Sequence, residues 1–169
     1  FGNEKSVWFQ GRALWTFSKA YNLIEKNSEY LKAAKTIYDF LPCCTDTDER
    51  MFFTVTKDGR GIQKRRYYFS ETFAAIGCAE YCVASGDKQA LVMAEKYFDI
   101  AYECFKGERY CQPKFCPENF TMKSLSPVMI MLSTAQTLRS VSPNKEKYSL
   151  IAKECLDEIM YGGFLTDIG

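Results

Sequence analysis

Ala94-Glu95-Lys96-Tyr97-Phe98-Asp99 sets small, charged and aromatic residues at helical spacing, and it has counterparts on both sides. These are Ala34-Lys35-Thr36-Ile37-Tyr38-Asp39 and Ala152-Lys153-Glu154-Cys155-Leu156-Asp157. The leading alanines are 60 and 58 residues apart, and Tyr21 and Tyr81 keep the offset of 60 one helix earlier. One Ala-to-Asp match is noise, but three in register, each in the second helix of a pair, make a repeat. The period is too long for a tetratricopeptide unit of roughly 34 residues or a HEAT unit of roughly 40–47. It suits helical hairpins set in a ring, the α/α barrel, with the first helix of each pair inside.

The flanking sequence supplies those hairpins. Asn3 can cap a first helix running to about residue 25, and the Asn27-Ser28 turn caps a second over 29–41, stopped by Pro42. From Met51 the period changes. Met51-Phe52-Phe53-Thr54-Val55-Thr56 is β-branched and aromatic, Asp58-Gly59 is a hairpin signal, and 61–69 returns as a second strand. Ser70 is placed to cap a third helix over 71–84, and Ser85-Gly86-Asp87 turns into a fourth over 88–105. A Pro- and Cys-bearing loop covers 107–121, and helices follow at 127–141 and 145–160. The first helices of the pairs are apolar nearly all round (Phe73-Ala74-Ala75-Ile76-Gly77-Cys78-Ala79, Val128-Met129-Ile130-Met131-Leu132), as helices flanked on both sides should be. The second helices carry the Lys and Glu. The fold class expected is all-α, three helix hairpins of an α/α barrel with a small β-hairpin, as one domain over 1–169, and three pairs do not close such a ring.

The totals exclude several function classes. A chain of 169 residues with 47% apolar and 15% aromatic residues builds a packed core. A net charge of +1 with both signs interspersed gives no nucleic-acid footprint and no anionic-membrane surface. Nothing reads as a signal peptide, and no apolar run approaches the roughly 18 residues that span a bilayer. The eight Cys form no CxxC pair and there is no His, so no metal site is expected. Cysteines embedded in long amphipathic helices point to reduced thiols and a cytoplasmic protein rather than a secreted disulfide scaffold. The missing His also removes the commonest general base near neutral pH, and with it Ser-His and Cys-His nucleophiles.

One polar stretch stands out in the apolar first helix: Lys5-Ser6-Val7-Trp8-Phe9-Gln10-Gly11-Arg12. Trp8 and Arg12 are four apart and project side by side on a helix, with Gly11 leaving space next to them. The pair reads either as a half-buried Trp packed on an Arg stem or as an aromatic platform beside a guanidinium, a grip for a sugar or a carboxylate. Glu71 in a helix first turn is favoured electrostatically without any catalytic task. Gly59 and Gly61 serve the hairpin turn, and nothing forms a Walker loop or a dinucleotide fingerprint.

These motifs together, Lys-Ser-Val-Trp-Phe-Gln-Gly-Arg (5–12), Thr-Lys-Asp-Gly-Arg (56–60), Arg-Arg-Tyr-Tyr-Phe-Ser-Glu (65–71) and Met-Lys-Ser-Leu (122–125), resemble those of the N-acylglucosamine 2-epimerase family. The resemblance covers essentially the whole chain and implies an (α/α)6 barrel. It implies interconversion of sugars epimeric at C2, such as N-acetylglucosamine and N-acetylmannosamine, with mannose or cellobiose the substrates of related members. That chemistry removes the proton α to the aldehyde and returns one to the opposite face. It needs a base on each side of the enediol plane and a cation or donor at the developing oxyanion.

By the same resemblance the substrate-binding residues are Trp8, Arg12, Tyr68, Arg66, Glu71 and Lys123, with a supporting ion pair the alternative for Arg66 and Glu71 and a solvated helix-start Lys the alternative for Lys123. The family's disaccharide epimerases carry an Asn where this chain has Ser126. Family members place the two bases on His, one within a Gly-His-x-x-Glu pattern, and this sequence has neither. The resemblance implies that those bases lie beyond Gly169, so no catalytic residue is expected within 1–169. The expectation is an N-terminal half-barrel that is catalytically incomplete alone, needs no cofactor, takes a small-molecule sugar and belongs to a parent for which a homodimer is open. Two alternatives stay open: an aldose–ketose isomerase or mannose/cellobiose epimerase on the same scaffold, and a non-catalytic helical-repeat module that binds carbohydrate or peptide.

Overall fold

The computed structural model describes residues 2–64, 67–112, 116, 118–119 and 123–164. Among them are six α-helices: α1 (Val7–Leu23), α2 (Ser28–Phe40), α3 (Phe69–Ser85), α4 (Lys88–Lys106), α5 (Leu125–Val141) and α6 (Lys145–Tyr161). Strands β1 (Glu4–Ser6), β2 (Phe52–Thr56) and β3 (Gly61–Lys64) form an antiparallel sheet in that order. The helices pair as hairpins, with turn chemistry that explains where each stops. Asn27 and Asp87 accept hydrogen bonds from the Glu29 and Gln89 amides, capping α2 and α4. Gly86 (φ 76°) and Gly107 (φ 77°) end α3 and α4 in the left-handed conformation that favours glycine.

Contacts between hairpins fix the layers. Glu95 meets Ser142, Asp99 meets Lys147 and Tyr102 meets Glu154, so α4 and α6 run parallel. Trp8 meets Phe69 and Phe73 while Asn22 meets Glu80, so α1 and α3 also run parallel. The first helices α1, α3 and α5 therefore start at one end of the molecule and the second helices return, as in a segment of an α/α barrel. The repeat has a physical cause in this arrangement. Ala34, Ala94 and Ala152 are all buried, because each second helix needs a small residue where it lies against its neighbours. Central α3 is the most enclosed, whereas α1 exposes Phe9, Phe17 and Leu23 and α6 exposes Leu150, Met160 and Tyr161.

Two expectations about the helix starts are corrected. The first helix begins after Ser6 rather than at an Asn3 cap, because Glu4, Lys5 and Ser6 are strand partners of Thr56, Val55 and Thr54. The third helix begins at Phe69, two residues early, and puts Ser70 inside its buried first turn instead of at the cap. The strand expected over 61–69 correspondingly ends at Lys64.

The closest helix contact is backbone on backbone. A Cβ at Gly11 would sit 2.6 Å from the Phe73 carbonyl carbon, and one at Gly77 would sit 2.7 Å from the Gly11 carbonyl oxygen. No rotamer change relieves a clash with backbone. Alanine at position 11 would gain about 1 kcal/mol in helix propensity, but overpacking outweighs it. Gly11→Ala should therefore lower stability by about 2 kcal/mol, read as a fall in the denaturant midpoint. An unchanged or raised midpoint would show that the two helices separate without cost.

Candidate functional site

The parallel packing of α1 on α3 carries the first turns of both helices to the same place. Trp8 stacks on Phe73 at 5.3 Å between ring centroids, with 12° between the planes, and meets Phe69 edge-on at 6.3 Å. One turn on, the Arg12 guanidinium lies 5.5 Å over the same Phe73 ring. Tyr67 stacks on Phe69 at 5.1 Å. All four rings are half-buried and Arg12 is exposed. The result is an aromatic strip with a cation on its open side. No carboxylate among the described residues pairs with Arg12, so its fork of donors is available to oxygens of a ligand. Both readings of the Trp8–Arg12 pair meet here, since Phe73 lies under the two side chains and holds them together.

Glu71 has a different position. It is fully buried, and its Oε1 accepts from Arg50 Nε at 2.6 Å and from the Met51 amide at 2.9 Å. Arg50 also donates to the Tyr67 carbonyl at 3.0 Å and to Cys111 Sγ at 3.1 Å. Burial works against the Arg50 charge, and the Glu71 carboxylate outweighs it, holding the guanidinium above its ordinary range. The pair thus joins the start of β2 to the first turn of α3, and Arg50 reaches the aromatic strip through the Tyr67 carbonyl. What turns Arg50 inward is Glu49, whose φ of 66° is left-handed, in a turn closed by Asp46 N donating to the Arg50 carbonyl. The neighbouring acids are engaged on the surface, Asp46 and Asp48 by Lys64 and Glu49 by Lys96.

The remaining expected residues fall elsewhere. Tyr68 is buried and packs edge-on against Phe69 and against Phe105 of α4. Burial foremost pushes its hydroxyl far above the ordinary tyrosine range. Lys123 pairs with Glu158 at 2.6 Å, donates to the Gly162 carbonyl and lies over Phe164, tying the start of α5 to the end of α6. Arg66 lies outside the described residues, and so does Gly169, beyond which the family's His bases are expected. The structure therefore brings Trp8 and Arg12 together over Phe73, engages Glu71 with Arg50 and the Met51 amide, and gives Tyr68 and Lys123 other neighbours. Phe69, Phe73, Tyr67 and Arg50 escape sequence reasoning. The one available signal is that Phe69 and Phe73 are four apart, the spacing of Trp8 and Arg12.

Two grooves lie in other places. One of about 390 Å³ runs between Tyr21, Lys32 and Tyr81, and another of about 420 Å³ between Pro42, Met93 and Tyr97. Among the described residues no group of three His, Cys, Asp or Glu is placed to hold a metal ion, and no helix is long and apolar enough to cross a membrane. Chemically the strip offers ring faces to C–H groups and a guanidinium to oxygens, and the Glu71 carboxylate nearby is engaged through Oε1 by Arg50.

Comparison with known proteins gives these features a setting. The family model described as N-acylglucosamine 2-epimerase (GlcNAc 2-epimerase) matches residues 1–162. A cellobiose 2-epimerase of Dictyoglomus turgidum is 30% identical over 106 residues, 62% of this chain and 27% of that protein. The N-acylglucosamine 2-epimerase of Rattus norvegicus is 25% identical over 95% of this chain and 40% of its own length. The solved structure of cellobiose 2-epimerase from Spirochaeta thermophila superposes with a TM-score of 0.79 at 25% identity, covering 94% of this chain and 44% of that one. The chain thus spans less than half the length of each of these relatives.

Proposed function

Because this chain belongs to the N-acylglucosamine 2-epimerase family, we propose that the full-length protein epimerises a sugar at C2 and that Trp8 and Arg12 form one wall of its sugar pocket. In this reading residues 1–169 are the N-terminal half of an (α/α)6 barrel. The observation that carries the wall is the exposed Arg12 guanidinium, without a carboxylate partner among the described residues, held over Phe73 beside Trp8. A pyranose lays its C–H face on such rings, and the open-chain aldehyde directs its oxygen to the guanidinium. Deprotonation at C2 builds charge on that oxygen, which Arg12 then stabilises more strongly than it did the neutral carbonyl. The positive ends of the α1 and α3 helix dipoles lie at the same end.

The acid–base groups are not histidines of these 169 residues, which contain none. The family resemblance assigns them to two His on the opposite wall, beyond Gly169. Glu71 serves the wall indirectly by fixing Arg50 and the start of α3, and Lys123 stays with Glu158. All eight cysteines are free thiols, which fits a reducing compartment such as the cytoplasm.

Incubation of the full-length protein in deuterated water with N-acetylmannosamine, N-acetylglucosamine, cellobiose and mannose tests this reading by NMR. One of these sugars should yield its C2 epimer with deuterium at C2. A ketose product would replace epimerisation by aldose–ketose isomerisation, and binding without turnover of any sugar would leave only a carbohydrate-binding module.

A further inference from the structure

Behind the aromatic strip, the third arm of Arg50 meets a thiol rather than a carboxylate. Nε is taken by Glu71 and one terminal nitrogen by the Tyr67 carbonyl, while the other lies 3.1 Å from Cys111 Sγ. Cys104, in the last turn of α4, lies close enough to the same sulfur for the two thiols to shift each other's titration. The two are brought together by the reversal at Gly107. The Glu108 and Arg109 amides both return to the Glu103 carbonyl, and the Arg109 side chain bonds Glu103 at 2.8 Å and the Asp48 carbonyl at 3.0 Å. That folds 108–111 back over the helix end. Cys104 is 7% exposed, whereas Cys111 is partly open to solvent.

We propose that Cys111 is a peroxide-reactive thiol and that Cys104 resolves it, closing an intramolecular disulfide between the end of α4 and the loop that follows. The charges facing Cys111 favour this order. The Cys104 S–H donated to it, and then the Arg50 guanidinium, bring Cys111 down to about 7 against the cost of burial. Cys104 is pushed up by that same hydrogen bond and by burial, so the proton of the pair stays on Cys104. In the first step the Cys111 thiolate attacks one oxygen of hydrogen peroxide. An S–O bond forms, the O–O bond breaks and hydroxide leaves, so that sulfur is oxidised to sulfenic acid and peroxide is reduced. In the second, Cys104 loses its proton and attacks the Cys111 sulfur. The S–S bond forms, the S–O bond breaks and water leaves. A thiol reductant reverses the second product to the starting pair.

Trypsin separates the partners, because Cys104 falls in peptide 97–106, Cys111 in 110–114 and Cys116 in 115–123. After stoichiometric hydrogen peroxide, mass spectrometry of the full-length protein should show 97–106 joined to 110–114, and dithiothreitol should release them. Before oxidation, iodoacetamide at neutral pH should label Cys111 about tenfold faster than the exposed Cys43. Cys104→Ser should leave Cys111 as a sulfenic acid that a dimedone probe captures. The proposal is overturned if Cys43 or Cys116 is oxidised first, or if Cys104 or Cys111 is found joined to Cys116. Because the wild-type peptide map and labelling rates give both answers, the test does not depend on a serine variant folding.

Discussion

Arg12→Ala in the full-length protein should lower kcat/KM for the epimerised sugar by about 100–1000-fold, the loss usual when a preorganised donor to a developing oxyanion is removed. The fold should survive. Arg12 is exposed, its only described side-chain contact is the Phe73 face, and the hydrogen bond from Thr16 goes to its backbone carbonyl. Exchange of the C2 hydrogen with solvent should fall with turnover, since both need the same enediolate. Arg12→Lys keeps the charge but not the planar fork, and it should land between wild type and alanine. Trp8 is a poorer probe: it packs on Phe69 and Phe73 across the α1–α3 contact, so its removal loses stability together with binding. If Arg12→Ala turns over sugar like the wild type, the wall has been assigned to the wrong side chain.

Why the Trp8–Arg12 pair was legible and its platform was not follows from range. Their adjacency needs only the i,i+4 geometry of one helix. The Phe73 ring beneath them depends on how α1 registers against α3, and that is set by Gly11 and Gly77 touching backbone to backbone. A glycine in a helix pattern reads as space left open, and nothing local says which backbone fills it. The hairpins were legible for the opposite reason. Their small residues at Ala34, Ala94 and Ala152 recur at a near-constant spacing, so a long-range packing rule is written out three times.

Strand β1 is not legible in the sequence, because Glu4, Lys5 and Ser6 have no strand pattern of their own and become one only by covering the edge of β2. Arg50 is hidden in the sequence because it follows Asp46, Asp48 and Glu49, which makes it look like part of a solvated charge run. The left-handed turn at Glu49 separates it from them and sends it inward. Position in a motif was also a weak guide to direction. Tyr67 and Tyr68 are neighbours in one motif, yet Tyr67 joins the aromatic strip and Tyr68 packs against α4.

That inward Arg carries the largest stability effect expected here. Glu71→Gln removes the charge facing a guanidinium whose side chain is 10% exposed, while Glu71 itself is fully buried. Breaking such a pair from one side leaves the other ion uncompensated in a medium that solvates it poorly, which costs about 3–5 kcal/mol. Urea unfolding followed by tryptophan fluorescence should show that loss as a lower midpoint with an unchanged slope. The loss should come mainly from the stranded Arg50 rather than from a missing attraction. Taking both charges away in Arg50→Met with Glu71→Gln should then recover much of it, because the net gain of a buried pair over apolar packing is small. Recovery has a limit, since Arg50 also holds the Tyr67 carbonyl and Glu71 the Met51 amide. If the double variant is no more stable than Glu71→Gln alone, desolvation of the lone guanidinium is not the dominant cost and the hydrogen bonds to Tyr67 and Met51 are.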